Sequence, residues 1–499
     1  MTNSTTTPVH NGAGKTHSTD LLKGSIKFLT IVLMVTAAAA PLVVASTYIP
    51  LSIGYGSGIA TPITYAIATI ILLIFSIGFG EMAKRITSTG AFYTFTTQGL
   101  GKPTGLGAGY TILASYSMIA AAIQGGFGYF ASAFLQSYLG VAVPWWVCSI
   151  VSLVLMFAIS YFKVTVTARV LGVLLILEVI VVIIVVISVI AQGGAEGQMA
   201  STFDPAQFAL APAIGLGFFF AFWSWIGFET TAIYGEETAD PRKSVPRATY
   251  IAVITLGIFY TITSYAAVIG FGKGAPGEAV DNLGGYFFAL ADMYSVPAVR
   301  VAMDILVVTG FFACSFAFHN NASRYLYSLG RDGLLPRVLG RTHHEHKSPA
   351  IAAGVQAAIA IVVVALFALA NTNPLLELGT WVPIFCTLGV VFVQLLVSLA
   401  VVGYFNKVGR KGAAAYWKTM VAPIVGAVAQ GVIALLLISN LSFLAGSEAL
   451  VVTLIPVYVI AIALIGVVYA LWLKRRDPAR YQSIGVLRDE ESGEVIPSV

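Results

Sequence analysis

Ionisable side chains are costly at the depth of a lipid bilayer, so those inside long apolar runs are the first candidates for chemistry. Glu178 stands in the middle of LGVLLILEVIVVIIVVISVI with nothing charged near it. A solitary carboxylate there can take up and release a proton, the chemistry of a coupling group. The other reading is a protonated structural acid bonded to a neighbouring helix. Glu229 lies in FAFWSWIGFETTAIYGEE, where Phe222, Trp223, Trp225 and Ile226 precede Gly227. A glycine in an aromatic run at membrane depth permits local unwinding. Unwound backbone is tolerated there only where it lines a cavity. Tight packing of large side chains is the alternative. The third candidate is Ala37-Ala38-Ala39-Ala40-Pro41, followed by the hydroxyls of Ser46 and Thr47. Proline removes a helix hydrogen bond and clashes with the preceding turn, and small residues let helices approach closely. The run reads either as a second broken helix facing a solute or as a plain kink.

Other polar residues read more plainly. Asp304 reads as a solvated or paired acid near a helix end. His343, His344 and His346 crowd a short basic loop with no ligand framework beyond Glu345, and read as solvated. His319, beside Asn320 and Asn321, reads as facing an inner vestibule. The three cysteines, Cys148, Cys314 and Cys386, are widely spaced in apolar stretches and read as buried thiols. No metal set or cofactor is expected.

The elements that must position these groups are helices in lipid. The 499-residue chain is 58% hydrophobic and 10% charged, with a mean hydropathy of +0.88. Soluble domains carry about a quarter charged residues. Apolar stretches run over 28–54, 61–83, 105–134, 145–162, 168–192, 212–234, 248–271, 297–326, 350–370, 377–404, 420–440 and 447–473. Each is long enough, or nearly so, to cross about 30 Å of hydrocarbon as a helix. The expected fold is an all-α polytopic membrane protein of about 12 transmembrane helices. An amphipathic piece from Ala91 to Gly99 is expected at the membrane surface. Residues 1–26 are polar and lack a cleavable apolar core, which predicts a disordered cytoplasmic tail. Residues 475–499 are expected to form a second cytoplasmic tail.

Charge placement orients the bundle. Basic residues follow every even-numbered stretch, from Lys84 and Arg85 after the second to Lys474, Arg475 and Arg476 after the twelfth. The opposite loops carry Lys273 and Arg300. Basic loops stay on the cytoplasmic side during insertion. Both termini are therefore expected in the cytoplasm, with the chain a multi-pass protein of the plasma (inner) membrane. The net charge of +5 is modest and does not suggest nucleic acid. No Gly-rich nucleotide loop of the Lys-Ser/Thr type occurs, and the longest outer loop, Gln192 to Pro212, is too short for a core. Neither a nucleotide nor a nucleic acid is expected as a partner. Transport would be driven by a gradient.

Three loops carry a resemblance. The first reads Gly80-Glu81-Met82-Ala83-Lys84-Arg85, then Ser88-Thr89-Gly90-Ala91-Phe92-Tyr93. The second reads Gly227-Phe228-Glu229, then Glu236-Glu237-Thr238-Ala239-Asp240-Pro241-Arg242-Lys243-Ser244-Val245-Pro246-Arg247-Ala248. The third reads Ser323-Arg324-Tyr325-Leu326-Tyr327, then Arg331-Asp332-Gly333-Leu334-Leu335-Pro336. Together they resemble the amino acid–polyamine–organocation permease family over essentially the whole membrane region.

The resemblance implies a ten-helix core over 27–404 with the five-plus-five inverted repeat of the bacterial leucine transporter. Two additional helices would fill 405–474. The first and sixth helices would be broken at the midplane, with half-helix ends meeting the substrate. Ala40, Pro41, Ser46 and Thr47 would contribute from the first, and Phe222, Trp223, Ile226, Gly227 and Glu229 from the sixth. Trp223 aligns with an aromatic that in relatives closes over the substrate from the outer side. Two departures stand out. Many relatives carry a Gly-Ser/Thr-Gly element in the first helix; this chain has Pro41-Leu42-Val43-Val44-Ala45-Ser46-Thr47. Several relatives place a sodium-mimicking Lys in the fifth helix, near where Glu178 falls.

The function expected is a secondary-active permease for amino acids or related amines, with uptake coupled to protons through Glu178. Its partners would be that small solute, protons and the bilayer. A permease for another small organic solute, an exchanger, or a nutrient sensor that moves nothing are the alternatives. No nucleophile–base pair lies in the apolar segments, so an enzyme is not expected. Cysteines placed at Ser244 and at Ala195 should react with an impermeant maleimide from opposite sides of the membrane. Labelling from one side would break this topology.

Overall fold

The computed structural model describes residues 27–161, 164–197, 200–343, 346–488 and 495–496. The expected tail over 1–26, Lys163, His344, Glu345 and most of the chain after 488 lie outside the described residues. Helix α1 spans Phe28–Gly56, α2 Gly58–Ala83, α3 Lys102–Leu139 and α4 Trp145–Ser160. Next come α5 at Val164–Ala191, α6 at Ile214–Ile233, α7 at Pro241–Phe271 and α8 at Pro297–Arg331. The last four are α9 at Ala350–Leu369, α10 at Gly379–Val408, α11 at Ala413–Ser439 and α12 at Ile455–Arg476. Eleven of them contain a segment long and apolar enough to cross a membrane, and the 16-residue α4 completes the twelve. Strand among the described residues is a two-residue pair, Leu487–Arg488 with Val495–Ile496.

Two of these helices are broken. In α1, Pro41 has no N–H and its ring excludes a regular turn before it. Ala40 answers with left-handed backbone, φ 43° and ψ 71°. That conformation costs an L-residue about 1–2 kcal/mol, so the surroundings must hold it. The second half, 41–56, alternates α and π turns. In α6 the first half, Ile214–Trp225, stops at Ile226, which is extended at ψ 128°. Gly227 follows at φ +113°, and a short turn, Thr230–Ile233, resumes the helix. A Cβ on Gly227 would lie 2.9 Å from Cβ of Ala38 and 3.1 Å from the Phe318 ring. The two breaks therefore meet, and glycine is what lets them.

Periodicity fixes which face of α5 points inward. Ile176, Leu177, Ile180, Ile183, Ile184 and Ile187 are exposed, as a lipid-facing stripe should be. Leu175, Glu178, Val182, Val185 and Val189 are buried on the opposite face. Glu178 thus faces the bundle. Around it, α5 packs against α1, α7 and α8. The last two helices flank this assembly, α11 against α2 and α10, α12 against α3.

The piece after α2 is a helix, Ala91–Leu100, and nine of its ten residues are buried against other elements. It is wedged between α3 and α10. Gly99 makes this possible: a Cβ there would meet the Ala400 carbonyl oxygen at 2.1 Å.

The loops that carry the family-like motifs meet at one end of the bundle. Arg331 at the end of α8 holds Glu236 at 2.9 Å, and Glu236 also accepts from the Thr89 N–H at 2.9 Å. Arg324 pairs with Glu237 at 2.8 Å, with both side chains buried. The Tyr93 hydroxyl donates to Asp332 at 3.0 Å and accepts from the N–H of Gly485, beyond α12. Lys407, in the last turn of α10, donates to the Gln98 carbonyl at 3.3 Å. Chain segments after α2, α6, α8, α10 and α12 thus share one end, as an even count between them requires. At the other end Arg300 bridges Asp292 at 2.7 Å and Asp304 at 3.2 Å, so Asp304 is a paired acid.

Burial alone would raise the Glu236 carboxyl, but the Arg331 guanidinium outweighs it and holds the group at about 2. Stability from that pair is present above the ordinary carboxylate value and lost as pH falls toward about 2. Arg324→Ala would leave Glu237 buried without its partner. We expect it to cost about 3–5 kcal/mol in thermal melts of purified protein. Lys84→Ala removes an exposed pair and should cost less than about 1 kcal/mol. Equal melting of the two variants would contradict the buried clasp.

Candidate functional site

A small enclosed space lies where the two breaks meet. Ala38, Ala39 and Ala40 form one wall, with Val43, Val44 and Tyr48 from the second half of α1. Trp223, Ser224 and Ile226 of α6 face them. Ile119 and Ile123 of α3 and Cys314 and Phe318 of α8 close it. Its volume is about 20 Å³, room for about one water. A solute of several heavy atoms enters only if these walls move apart.

The broken backbone is satisfied by side chains. The Ala39 carbonyl accepts from the Tyr260 hydroxyl of α7 at 2.6 Å, and the Ala38 carbonyl from the Cys314 thiol at 3.1 Å. The Gly227 N–H donates to Glu229 at 3.1 Å. The other Glu229 oxygen accepts from the Tyr116 hydroxyl. Glu229 therefore braces the α6 break and does not line the cavity.

Glu178 is 1% exposed, and neither of its oxygens completes a hydrogen bond among the described residues. The Leu42 N–H faces it from the start of the second half of α1. Gly310 of α8 lies against its other side, where a Cβ would come within 2.8 Å of Oε2. The carboxylate thus sits at the junction of α1, α5 and α8, behind the cavity wall.

The sequence candidates divide. Ala40, Trp223 and Ile226 line the space. Pro41 and Gly227 shape the breaks beside it. Ser46 is turned back, donating to the Leu42 carbonyl at 2.8 Å. Thr47 lines a second cavity of about 20 Å³ with Tyr48, Phe130, Phe311 and Gly284. Tyr48 borders both cavities and meets Trp223 edge to face at 5.9 Å. Phe222 is buried outside the lining. His319 is fully buried beside Phe316 with no partner on either ring nitrogen among the described residues, so it packs in the interior instead of facing a vestibule. His343 contacts the Tyr161 hydroxyl at 2.7 Å. The three cysteines are buried thiols.

Sequence reading missed Tyr48, Tyr260 and Phe318, and took Cys314 only as a buried thiol. Nothing local marks their place at the breaks, because each makes its contact with a helix other than its own.

The two sides of the cavity are unequal. Toward the end that gathers the even-numbered loops, Phe318 packs on Tyr116, Tyr116 on Tyr325, and Asn321 bonds Thr230 at 2.8 Å. The Arg324–Glu237 pair lies beyond. Toward the other end stand Tyr48 and Trp223, with the second cavity behind them.

The sequence has relatives. A branched-chain amino acid permease, BcaP of Bacillus subtilis (strain 168), is 24% identical over 347 residues, covering 66% of this chain and 72% of its own. The low-affinity putrescine importer PlaP of Escherichia coli (strain K12) is 23% identical over 386 residues, covering 75% and 81%. A gamma-aminobutyric acid permease of the same organism is 29% identical over 130 residues, covering 26% and 27%. The family model described as amino acid permease matches residues 26–465. With that match spanning both breaks and all three motif loops, the chain belongs to the amino acid permease family.

Proposed function

We propose that the chain is a secondary-active permease that takes up an amino acid or a related amine across the plasma membrane, coupled to protons. Both termini face the cytoplasm on this reading, and the ten-helix core is a five-plus-five inverted repeat. The observation that carries it is the meeting of two broken helices at Ala38 and Gly227 around a closed cavity, with Glu178 buried behind the wall. The carbonyl end of the first α1 half favours an ammonium. Relatives named for a branched-chain amino acid, putrescine and gamma-aminobutyric acid support an amino acid or amine as the solute.

Glu178 is the coupling group. It touches α1 through Leu42 and α8 through Gly310, the helices whose separation would open the site. Protonation removes its charge and lets them close; loss of the proton restores the charge and favours hydration. The two conformations then differ in proton affinity, which is what coupling requires. Glu178→Gln copies the protonated form. We expect it to keep binding and exchange but to lose accumulation driven by a pH gradient in proteoliposomes. Accumulation with an unchanged gradient dependence would make Glu178 structural.

Trp223 is the lid on the side where Tyr48 and the second cavity lie. Its ring covers the solute and attracts an ammonium by roughly 0.5–2 kcal/mol. Trp223→Ala should weaken binding about tenfold or more in a thermal-shift titration, whereas Trp145→Ala, outside the cavity, should change it little. Equal small effects would remove Trp223 from the site.

A further inference from the structure

A zwitterionic solute brings two charges to the breaks, and each needs its own partner. The positive one is provided for. The carbonyls of Ala38 and Ala39 end the first half of α1, and each accepts only one side-chain donor. A carbonyl oxygen has two lone pairs, so each can accept again. The negative charge is treated differently. Pro41 has no N–H, which leaves Leu42 and Val43 as the free donors where the second half begins. Glu178 already lies against the Leu42 N–H. Its carboxylate is almost fully buried and completes no hydrogen bond among the described residues, and Gly310 leaves the notch it fills. At the other break the Gly227 N–H is taken by Glu229. No residue lining the cavity carries a positive charge.

We propose that Glu178 occupies the anion place at the α1 break and thereby sets the substrate class: a primary amine without an α-carboxylate. The proposal rests on the permease reading above and sharpens it. A solute carboxylate would have to displace Glu178 or share the break with it. Sharing sets two carboxylates side by side, which disfavours the charged form of both. Protonating Glu178 removes the charge but not the occupant, since a carboxylic acid keeps an acceptor, its carbonyl oxygen, facing the Leu42 N–H. Selectivity therefore follows from occupancy and coupling from charge, and the two roles separate by mutation. Glutamine keeps an acceptor at Leu42 and loses the titrating proton. Alanine loses both.

The test uses the purified full-length chain and pairs of probes that differ only by the α-carboxylate: isopentylamine and leucine, putrescine and ornithine, 2-phenylethylamine and phenylalanine. Binding is read by thermal shift, since a ligand of the native state raises its melting temperature. At least one amine should bind tenfold or more tightly than its carboxylated counterpart. Glu178→Gln should keep that ratio while losing pH-driven accumulation. Glu178→Ala should narrow it at least tenfold, because the Leu42 N–H becomes free. An amino acid that binds as tightly as its amine in every binding pair overturns the substrate class and leaves the permease reading standing. Binding of no member of any pair sinks both. If Glu178→Ala does not fold, the native and Glu178→Gln ratios decide alone.

Discussion

The close approach of Gly227 to Ala38 is the constraint on which the rest of the site depends. Two helices give up their regular hydrogen bonds at the same depth, and each exposes backbone groups that lipid cannot satisfy. The breaks persist because they face each other and not lipid. The 2.9 Å that a Cβ at Gly227 would leave to Ala38 shows how little room there is. Alanine at 38, 39 and 40 keeps the opposite wall equally thin. Any bulk at this contact would push α1 from α6 and leave both sets of orphan groups without cover.

Side chains from other helices complete the arrangement. Tyr260 reaches from α7 to the Ala39 carbonyl, Cys314 from α8 to that of Ala38, and Tyr116 from α3 to Glu229. Each bond ties a break to another helix. On the proposed reading, opening the site exchanges these bonds for bonds to solute and water. Glu178 differs from them because its oxygens have no hydrogen-bond partner among the described residues. The molecule holds a costly group at the junction of three helices, which fits a group that changes state during a cycle better than one that only supports the fold.

Much of the fold was legible before the structure. The apolar runs marked all twelve helices, since a span of lipid demands a fixed length of apolar residues. Pro41 and Gly227 marked both breaks, because each has one dominant effect on backbone. What was not legible depends on contacts between distant segments. The burial of Ala91–Leu100 follows from the approach of Gly99 to Ala400, which no local pattern signals. Ser46 and Thr47 promised free hydroxyls; one is turned back on its own helix and the other lines a neighbouring cavity. Glu229 looked like a binding residue by position, and its carboxylate accepts the N–H of Gly227 two residues before it. Side-chain direction, not residue type, decided each of these.

The central claim is that the solute sits where the two breaks meet, and the chain carries its own reporter there. Cys314 lines the cavity, while Cys148 and Cys386 do not. With those two replaced by serine, the rate at which a membrane-permeant maleimide modifies Cys314 can be followed in proteoliposomes, with and without the best-binding solute of the probe set. The account predicts that saturating solute slows the modification of Cys314 at least several-fold. A rate that solute leaves unchanged would place the binding site elsewhere in the bundle.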